Sequence, residues 1–408
     1  MSQHLVPSRR GRPGDDPIFA LNAEANARKQ KGEAVVNATL GALLDDAGAL
    51  AVLPTAARAV REVASAEWAP YAPIAGSPPF LAAVVDDVAR GDKSLAARAA
   101  AVATPGGSGA LRHAVASFLD PGQSLLTTSY YWGPYQTIAD EHDRKVATFR
   151  MFDDSGAFDV AALDAEMERL VASQGRVLLI LNDPCHNPTG YSMSKADWAA
   201  TVEVVGRHAS AAPVTVLLDA AYSAFGPERG ISGPIRALAP VLDKALVLVA
   251  WTASKTFTHY GLRVGALVAF ACEPSQRDDL AAALTYACRG TWSNCNRGGM
   301  AAVTRLLVDP AVRESAASER EGLVRLLGER VAAFNAAARK AGLSFPRYDG
   351  GFFTTVFAED AASAARRMRE EGVFVVPIEG ALRLGLCSVK AADVPRLVDA
   401  TARALSAR

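Results

Sequence analysis

The chain has 408 residues, half of them hydrophobic, and its 43 basic and 43 acidic side chains cancel. That length suits two or three domains at roughly 150 residues each, and the neutral balance gives no electrostatic footprint for nucleic acid or an anionic membrane. The cysteines (Cys185, Cys272, Cys288, Cys295 and Cys387) are scattered, odd in number and without a C-x-x-C pair, which predicts reduced thiols in a cytoplasmic protein rather than a disulfide framework or a zinc site.

The N-terminus lacks the apolar core of a signal peptide, and no apolar run is long enough to span a bilayer. Residues 1–15 are polar and rich in Gly, Pro and Arg. They predict a mobile arm, or one that orders on a partner subunit. Asp16-Pro17 opens a helix with Ile18, Leu21 and Ala25 on one face. Val35 to Asn37 reads as a short strand entering a turn at Ala38 to Gly41, and Ala56 to Ala66 as one amphipathic helix. Tyr71 to Gly76 is a loop by its Pro and Gly.

Thr104-Pro105-Gly106-Gly107-Ser108-Gly109 follows a small apolar run and opens a helix with Leu111, Ala114, Val115, Phe118 and Leu119 at helical spacing. Such a turn offers backbone N–H groups to an anion, helped by the helix dipole, although glycines there can equally be a steric requirement. Ser124 to Ser129 reads as a strand ending in Tyr130, Tyr131, Trp132 and Tyr135, aromatics that suit either a core or the wall of a pocket for a flat ring. Asp159 to Ser173 is a helix, and Arg176 to Leu181 a buried strand stopped by Asn182 to Gly190. Ser194 to His208 is a helix opened by a Ser194/Asp197 capping box, and Val214 to Leu218 a strand ending at Asp219.

The run Ala245 to Ala250 has strand length and no alternation, as expected of a strand covered on both faces. It leads into Trp251 to Gly265, with Lys255 among the hydroxyls of Thr252, Ser254 and Thr256, and with Arg263 before a second apolar run. A lysine at the mouth of a buried strand loses hydration, so its pKa falls and its free amine becomes available to condense with an aldehyde. The hydroxyls and Arg263 can hold a phosphate. Together they suggest pyridoxal phosphate, a phosphorylated aldehyde. In isolation the stretch fits a solvent-facing lysine at a strand end better, and other motifs are needed to overturn that reading.

Residues 301–341 read as helical. They are followed by a strand at Phe352 to Phe357, a helix at Ala361 to Glu371, strands around Phe374 to Val376 and Leu382 to Leu386, and a last helix from Ala392 to Leu405. The alternation of short strands and helices from about 99 to 271 implies a three-layer α/β/α domain on a mostly parallel sheet. The ends of the chain then form a smaller α+β domain. The expected division is 1–15 arm, 16–47 and 321–408 small domain, and 48–320 large cofactor-binding domain. In parallel sheets ligands bind beyond the carboxyl ends of strands, where the Gly-rich turn, Trp132, Asn187, Asp219 and Lys255 converge.

On the motifs VNATLGALLDD, YAPIAG, TPGGSGALR, HNPTG, DAAY, SKTFTHYGLRVG, RGTWSN and LRLGL, in that order, the chain resembles the aspartate and aromatic aminotransferase group of class I, fold-type-I pyridoxal-phosphate enzymes. The resemblance implies that Lys255 holds the cofactor covalently and moves the substrate Cα proton. It implies that Asp219 pairs with the ring nitrogen, that Tyr222 and Asn187 bond the ring's phenolic oxygen, and that Trp132 stacks on the ring. Gly107, Ser108, Thr252, Ser254 and Arg263 would bind the phosphate, joined by Tyr71 from the neighbouring subunit of a homodimer. Arg383 would clamp the substrate α-carboxylate beside Gly41, with Arg289 reaching across the interface to a distal carboxylate. Phe19, Asn182, Tyr135 and Cys295-Asn296 depart from the pattern of the aspartate enzymes and leave the substrate open between aspartate or glutamate and aromatic amino acids, with a 2-oxo acid such as 2-oxoglutarate as acceptor. β-Elimination or decarboxylation on the same scaffold is the alternative chemistry. A sensor domain of a transcription regulator would need a DNA-binding module, for which the short arm leaves no room.

Overall fold

Seven short apolar segments pair into one mixed sheet in the computed structural model, which describes residues 4–14 and 17–407. They are β1 (Ala99–Pro105), β2 (Ser124–Thr128), β3 (Lys145–Phe149), β4 (Val177–Asn182), β5 (Val214–Asp219), β6 (Leu246–Thr252) and β7 (Val264–Phe270), in the spatial order β1-β7-β6-β5-β4-β2-β3. β7 alone runs against its neighbours β1 and β6; the other pairings are parallel. Every residue of β4, β5 and β7 is buried, as is all of β6 beyond Leu246. Their unalternating apolar sequences follow from having helices on both faces. The helices include α1 (Pro17–Gln30), α2 (Gly106–Phe118), α3 (Val160–Gln174), α4 (Lys195–Ala209), α5 (Arg277–Thr291), α6 (Arg297–Val308) and α7 (Pro310–Lys340).

The predicted capping box at the start of α4 is formed: Ser194 Oγ accepts from Asp197 N and Asp197 Oδ2 accepts from Ser194 N. The edge strand β3 has no clear sequence signal, because only Phe149 is buried and the rest is half-exposed or exposed. The helical stretch read over 301–341 is two helices. Pro310 has no N–H to continue the first, and Asp309 caps the second by accepting from Ala311 N and Val312 N. Likewise Ala56 to Ala66 is not one helix: Pro54–Arg61 and Ser65–Trp68 are separate.

A second core gathers the two ends of the chain. Val36–Asn37 pairs in parallel with Val373–Phe374, and β8 (Thr354–Phe357), β9 (Val376–Ile378) and β10 (Ala381–Leu384) form a small antiparallel sheet in the order β9-β10-β8. The segment read as one strand around Phe374 to Val376 is therefore divided between two sheets. Helices α8 (Ala361–Glu370) and α9 (Val394–Ser406) pack here, and in α9 Val394, Leu397, Val398 and Thr401 are buried while Leu405 is only half-buried. Arg330 on α7 is fully buried and ties these pieces together. It donates to the carbonyls of Leu44 and Cys387 at 2.8 Å each and pairs with Asp46.

Of the N-terminal arm, residues 4–14 are described, and Arg9 and Arg12 pair with Glu141 of the same chain. This stretch thus has a seat on its own chain. Residues 1–3, Asp15 and Asp16 lie outside the described residues.

Candidate active site

A cleft of about 370 Å³ opens where the carboxyl ends of β4, β5 and β6 meet the start of α2 and the chain's two ends. Of the residues singled out from sequence, Gly41, Gly107, Ser108, Trp132, Asn187, Asp219, Tyr222, Thr252, Ser254, Lys255, Arg263, Arg383 and Phe19 line it. Tyr71, 88% exposed, and Arg289, whose Nη1 donates to Ser293 Oγ at 2.8 Å, lie on the surface and do not reach the cleft of their own chain.

Lys255 sits in the single helical turn Ala253–Thr256 after β6, and its Nζ donates to the Gly41 carbonyl at 2.7 Å. The rings of Tyr260, Phe352 and Tyr222 surround the amine at 4.6, 5.6 and 5.8 Å. Loss of hydration is the main cause that brings its pKa down from 10.5 to about 8. Capture of a phosphorylated aldehyde by the cofactor-free protein should therefore accelerate with rising pH and level off above about 8, because only the neutral amine attacks. Rapid-mixing absorbance measures this, and a midpoint near that of free lysine would show the amine to be solvated.

Asp219 ends β5 and is 5% exposed. Its Oδ2 accepts from Tyr135 Oη at 2.7 Å, its Oδ1 from Ala221 N at 3.2 Å, and its carbonyl from Asn182 Nδ2 at 2.9 Å. Burial raises its pKa, and these donors pull the other way. Asn182 Oδ1 also accepts from Asn187 N at 2.7 Å, so one side chain sets the relative position of Asp219 and the loop carrying Asn187. Asn187 Nδ2 points to Tyr222 Oη at 3.4 Å.

An anion cradle faces them. Gly106 has φ +68°, and a Cβ there would come within 2.5 Å of the Arg263 guanidinium, so the turn into α2 and Arg263 can approach only with glycine. Arg263 precedes the antiparallel strand β7, whose reversed direction brings a residue from a strand's beginning to the edge where the other strands end. Its Nη1 donates to Ser254 Oγ at 3.3 Å, and Thr252 Oγ1 donates to Ser254 Oγ at 2.9 Å. Among the described residues no carboxylate pairs with Arg263, and desolvation lowers its pKa.

Across the cleft, Arg383 on β10 is 7% exposed, donates to the Thr39 carbonyl at 2.8 Å and lies 4.7 Å from the Phe353 ring. Sequence reasoning passed over Thr39, Tyr260 and Phe353. Tyr260 was within reach, five residues after Lys255, but nothing in its spacing says that its ring covers the amine. His186 bonds Thr189 Oγ1 at 2.8 Å and Thr128 Oγ1 at 3.3 Å, latching the loop from behind.

A family model described as aminotransferase class I and II matches residues 33–400. The chain belongs to that family. An aromatic-amino-acid aminotransferase of Pseudomonas aeruginosa is 34% identical over 232 residues, a match spanning 55% of each chain. The crystal structure of an aminotransferase from Anaerococcus prevotii is 30% identical, with a TM-score of 0.93 over 99% of this chain and 100% of that one. An aromatic-amino-acid aminotransferase from Burkholderia pseudomallei, solved covalently bound to pyridoxal phosphate, shares the fold at a TM-score of 0.82 and 24% identity, over 98% of this chain and 100% of that one.

This aminotransferase is a pyridoxal-phosphate-dependent enzyme, and the residues of the cleft fit that cofactor. A dehydrated amine suits an aldehyde, an acid-free arginine beside two hydroxyls and a helix N-terminus suits a phosphate, and a buried carboxylate suits a protonated ring nitrogen. The volume is that of a small cofactor with a small substrate.

Proposed function

We propose that this aminotransferase moves the amino group of an L-amino acid, either a dicarboxylic or an aromatic one, to a 2-oxo acid such as 2-oxoglutarate. The observation that carries this reading is the meeting in one cleft of a dehydrated Lys255 amine, the Asp219 carboxylate and the Arg383 guanidinium. Bound pyridoxal phosphate supplies an aldehyde to take up the amino group and a protonated ring to accept the electrons left when the Cα proton departs. In this reading Arg383 holds the substrate α-carboxylate by a two-point contact. With the substrate held there, the neutral Lys255 amine would take up the Cα proton. Asp219 would hold the cofactor's ring nitrogen protonated, and Tyr222 and Asn187 would hold its phenolic oxygen. Gly107, Ser108, Thr252, Ser254 and Arg263 would hold the phosphate, and Trp132 would bind the ring.

The apolar lining contributed by Ile18, Phe19, Leu40, Leu111 and Phe353 favours a bulky side chain. Arg289 would extend the range to a distal carboxylate from the partner subunit of a homodimer, with Tyr71 crossing in the same way to the phosphate; the exposure of both on the free chain supports this. Five free thiols accord with a reducing cytoplasm.

A panel of amino donors against 2-oxoglutarate tests the reading. Amino transfer should require the acceptor, and release of pyruvate or CO₂ without one would point instead to elimination or decarboxylation. Arg289→Ala should lower kcat/KM for aspartate and glutamate by about 10²-fold or more, as for loss of a charged pair, and change phenylalanine by only a few-fold. Equal losses would remove Arg289 from substrate selection.

A further inference from the structure

Asp219 is fully enclosed, and what touches its carboxylate is unusual in one respect: both donors are uncharged at any physiological pH. Tyr135 belongs to the helix Pro134–Glu141, opened by Gly133-Pro134 just after Trp132, and is 1% exposed. Tyr131 stacks on its ring with centroids 6.3 Å apart and planes 7° apart, and Trp132 meets it edge-on at 5.8 Å. From this packed position its hydroxyl donates to Asp219 Oδ2 at 2.7 Å. Asn182, at the paired end of the adjacent strand, fixes the aspartate's own backbone from the other side.

We infer that Tyr135 is a positioning residue that holds the Asp219 carboxylate ionised and aimed into the cleft, through a donor that does not titrate in the working range of the enzyme. This rests on the reading of Asp219 as the partner of the cofactor's ring nitrogen. The surrounding groups agree with it. Burial and the neighbouring carboxylate push the Tyr135 phenol well above its usual pKa, and burial does the same to Tyr222. From the turn after β6 comes Lys255, depressed to about 8. From β4 and its loop come the amides Asn182 and Asn187, with His186 behind them held down to about 3, while Asp183, next to Asn182 and raised by burial to about 7, turns its carboxylate to Met193 N and Trp198 Nε1 instead. On α2, His113 is down at about 4 and bonded towards Cys288. Among the described residues, the two donors to the Asp219 carboxylate, Tyr135 Oη and Ala221 N, do not change charge between about pH 5 and 7, so a pairing with a ring nitrogen would keep its strength across that range. An imidazole in place of the phenol would titrate within it.

Three variants decide this: Tyr135→Phe, Tyr135→His and Asp219→Asn, each read by the dissociation constant for pyridoxal phosphate, by the pH dependence of the bound cofactor's visible absorbance from pH 5 to 9, and by the melting temperature without cofactor. Tyr135→Phe should weaken cofactor retention roughly 10- to 100-fold, the range expected for a hydrogen bond to a charged group, while the cofactor-free melting temperature moves little. Tyr135→His should restore retention and add an inflection between about pH 6 and 7 that the parent lacks. Asp219→Asn must itself weaken retention. If it does and Tyr135→Phe does not, the inference about Tyr135 is overturned while the site stands. If Asp219→Asn changes nothing, the role of Asp219, and this inference with it, is wrong. A Tyr135→Phe variant whose retention falls only in step with its melting temperature marks Tyr135 as packing alone and also overturns the inference.

Discussion

Replacing Lys255 with alanine should remove at least about three to four orders of magnitude of turnover, the combined loss of a covalent anchor and a proton-transferring base. The size follows from the surroundings. The amine is enclosed by the rings of Tyr222, Tyr260 and Phe352, and it donates to the Gly41 carbonyl. Its pKa near 8 means that the pocket favours the neutral form by roughly 3 kcal/mol over water. The anion cradle around Arg263 is untouched by the substitution, so the variant should still bind pyridoxal phosphate, now reversibly and without the covalent adduct's absorbance. A dialysed Lys255→Ala protein that keeps that absorbance and normal turnover would refute the assignment.

The second large effect concerns Arg383. Arg383→Leu should lower kcat/KM by about 10²- to 10³-fold for every amino donor, because the substrate carboxylate then enters an enclosed site with no charge to meet it. The cost should be common to aromatic and dicarboxylic donors alike, which separates it from Arg289→Ala. Cofactor absorbance should be retained, because in this reading Arg383 serves the substrate carboxylate and not the phosphate. Arg383 is also structural: it donates to the Thr39 carbonyl and covers the Phe353 ring, linking the N-terminal segment to β10. Melting curves must therefore accompany the kinetics. A variant that folds, retains cofactor and shows less than tenfold loss would show that the carboxylate is bound elsewhere.

Much of this site was legible in the chain because its parts obey local rules. The Gly-rich turn announces itself through φ requirements at Gly106 and a helix period that starts there. The unalternating run before Lys255 marks a strand buried on both faces, but only the structure shows that the amine at its end is enclosed and its pKa lowered. Asn182, Asp219 and Thr252 each end such a strand, and the carboxyl ends of parallel strands must share an edge. Boundaries were read less well where a competing local signal acted. Pro310 divides a continuous helical pattern, and β3 is an edge strand too exposed to show a period.

The sequence alone determined the alternation of buried strands and amphipathic helices and the residue types that stand at several strand ends. Those are consequences of periodicity, turn geometry and desolvation, which operate within a dozen residues. Tertiary structure alone decided that the reversed strand β7 carries Arg263 back to the edge where the parallel strands finish. It also decided that Tyr260 and Phe352 cover the amine, and that the phenol of Tyr135 meets Asp219 from 84 residues away. Such contacts join segments distant along the chain. Their geometry is set by how the sheet, its covering helices and the chain's two ends pack together, and no local pattern encodes that distance.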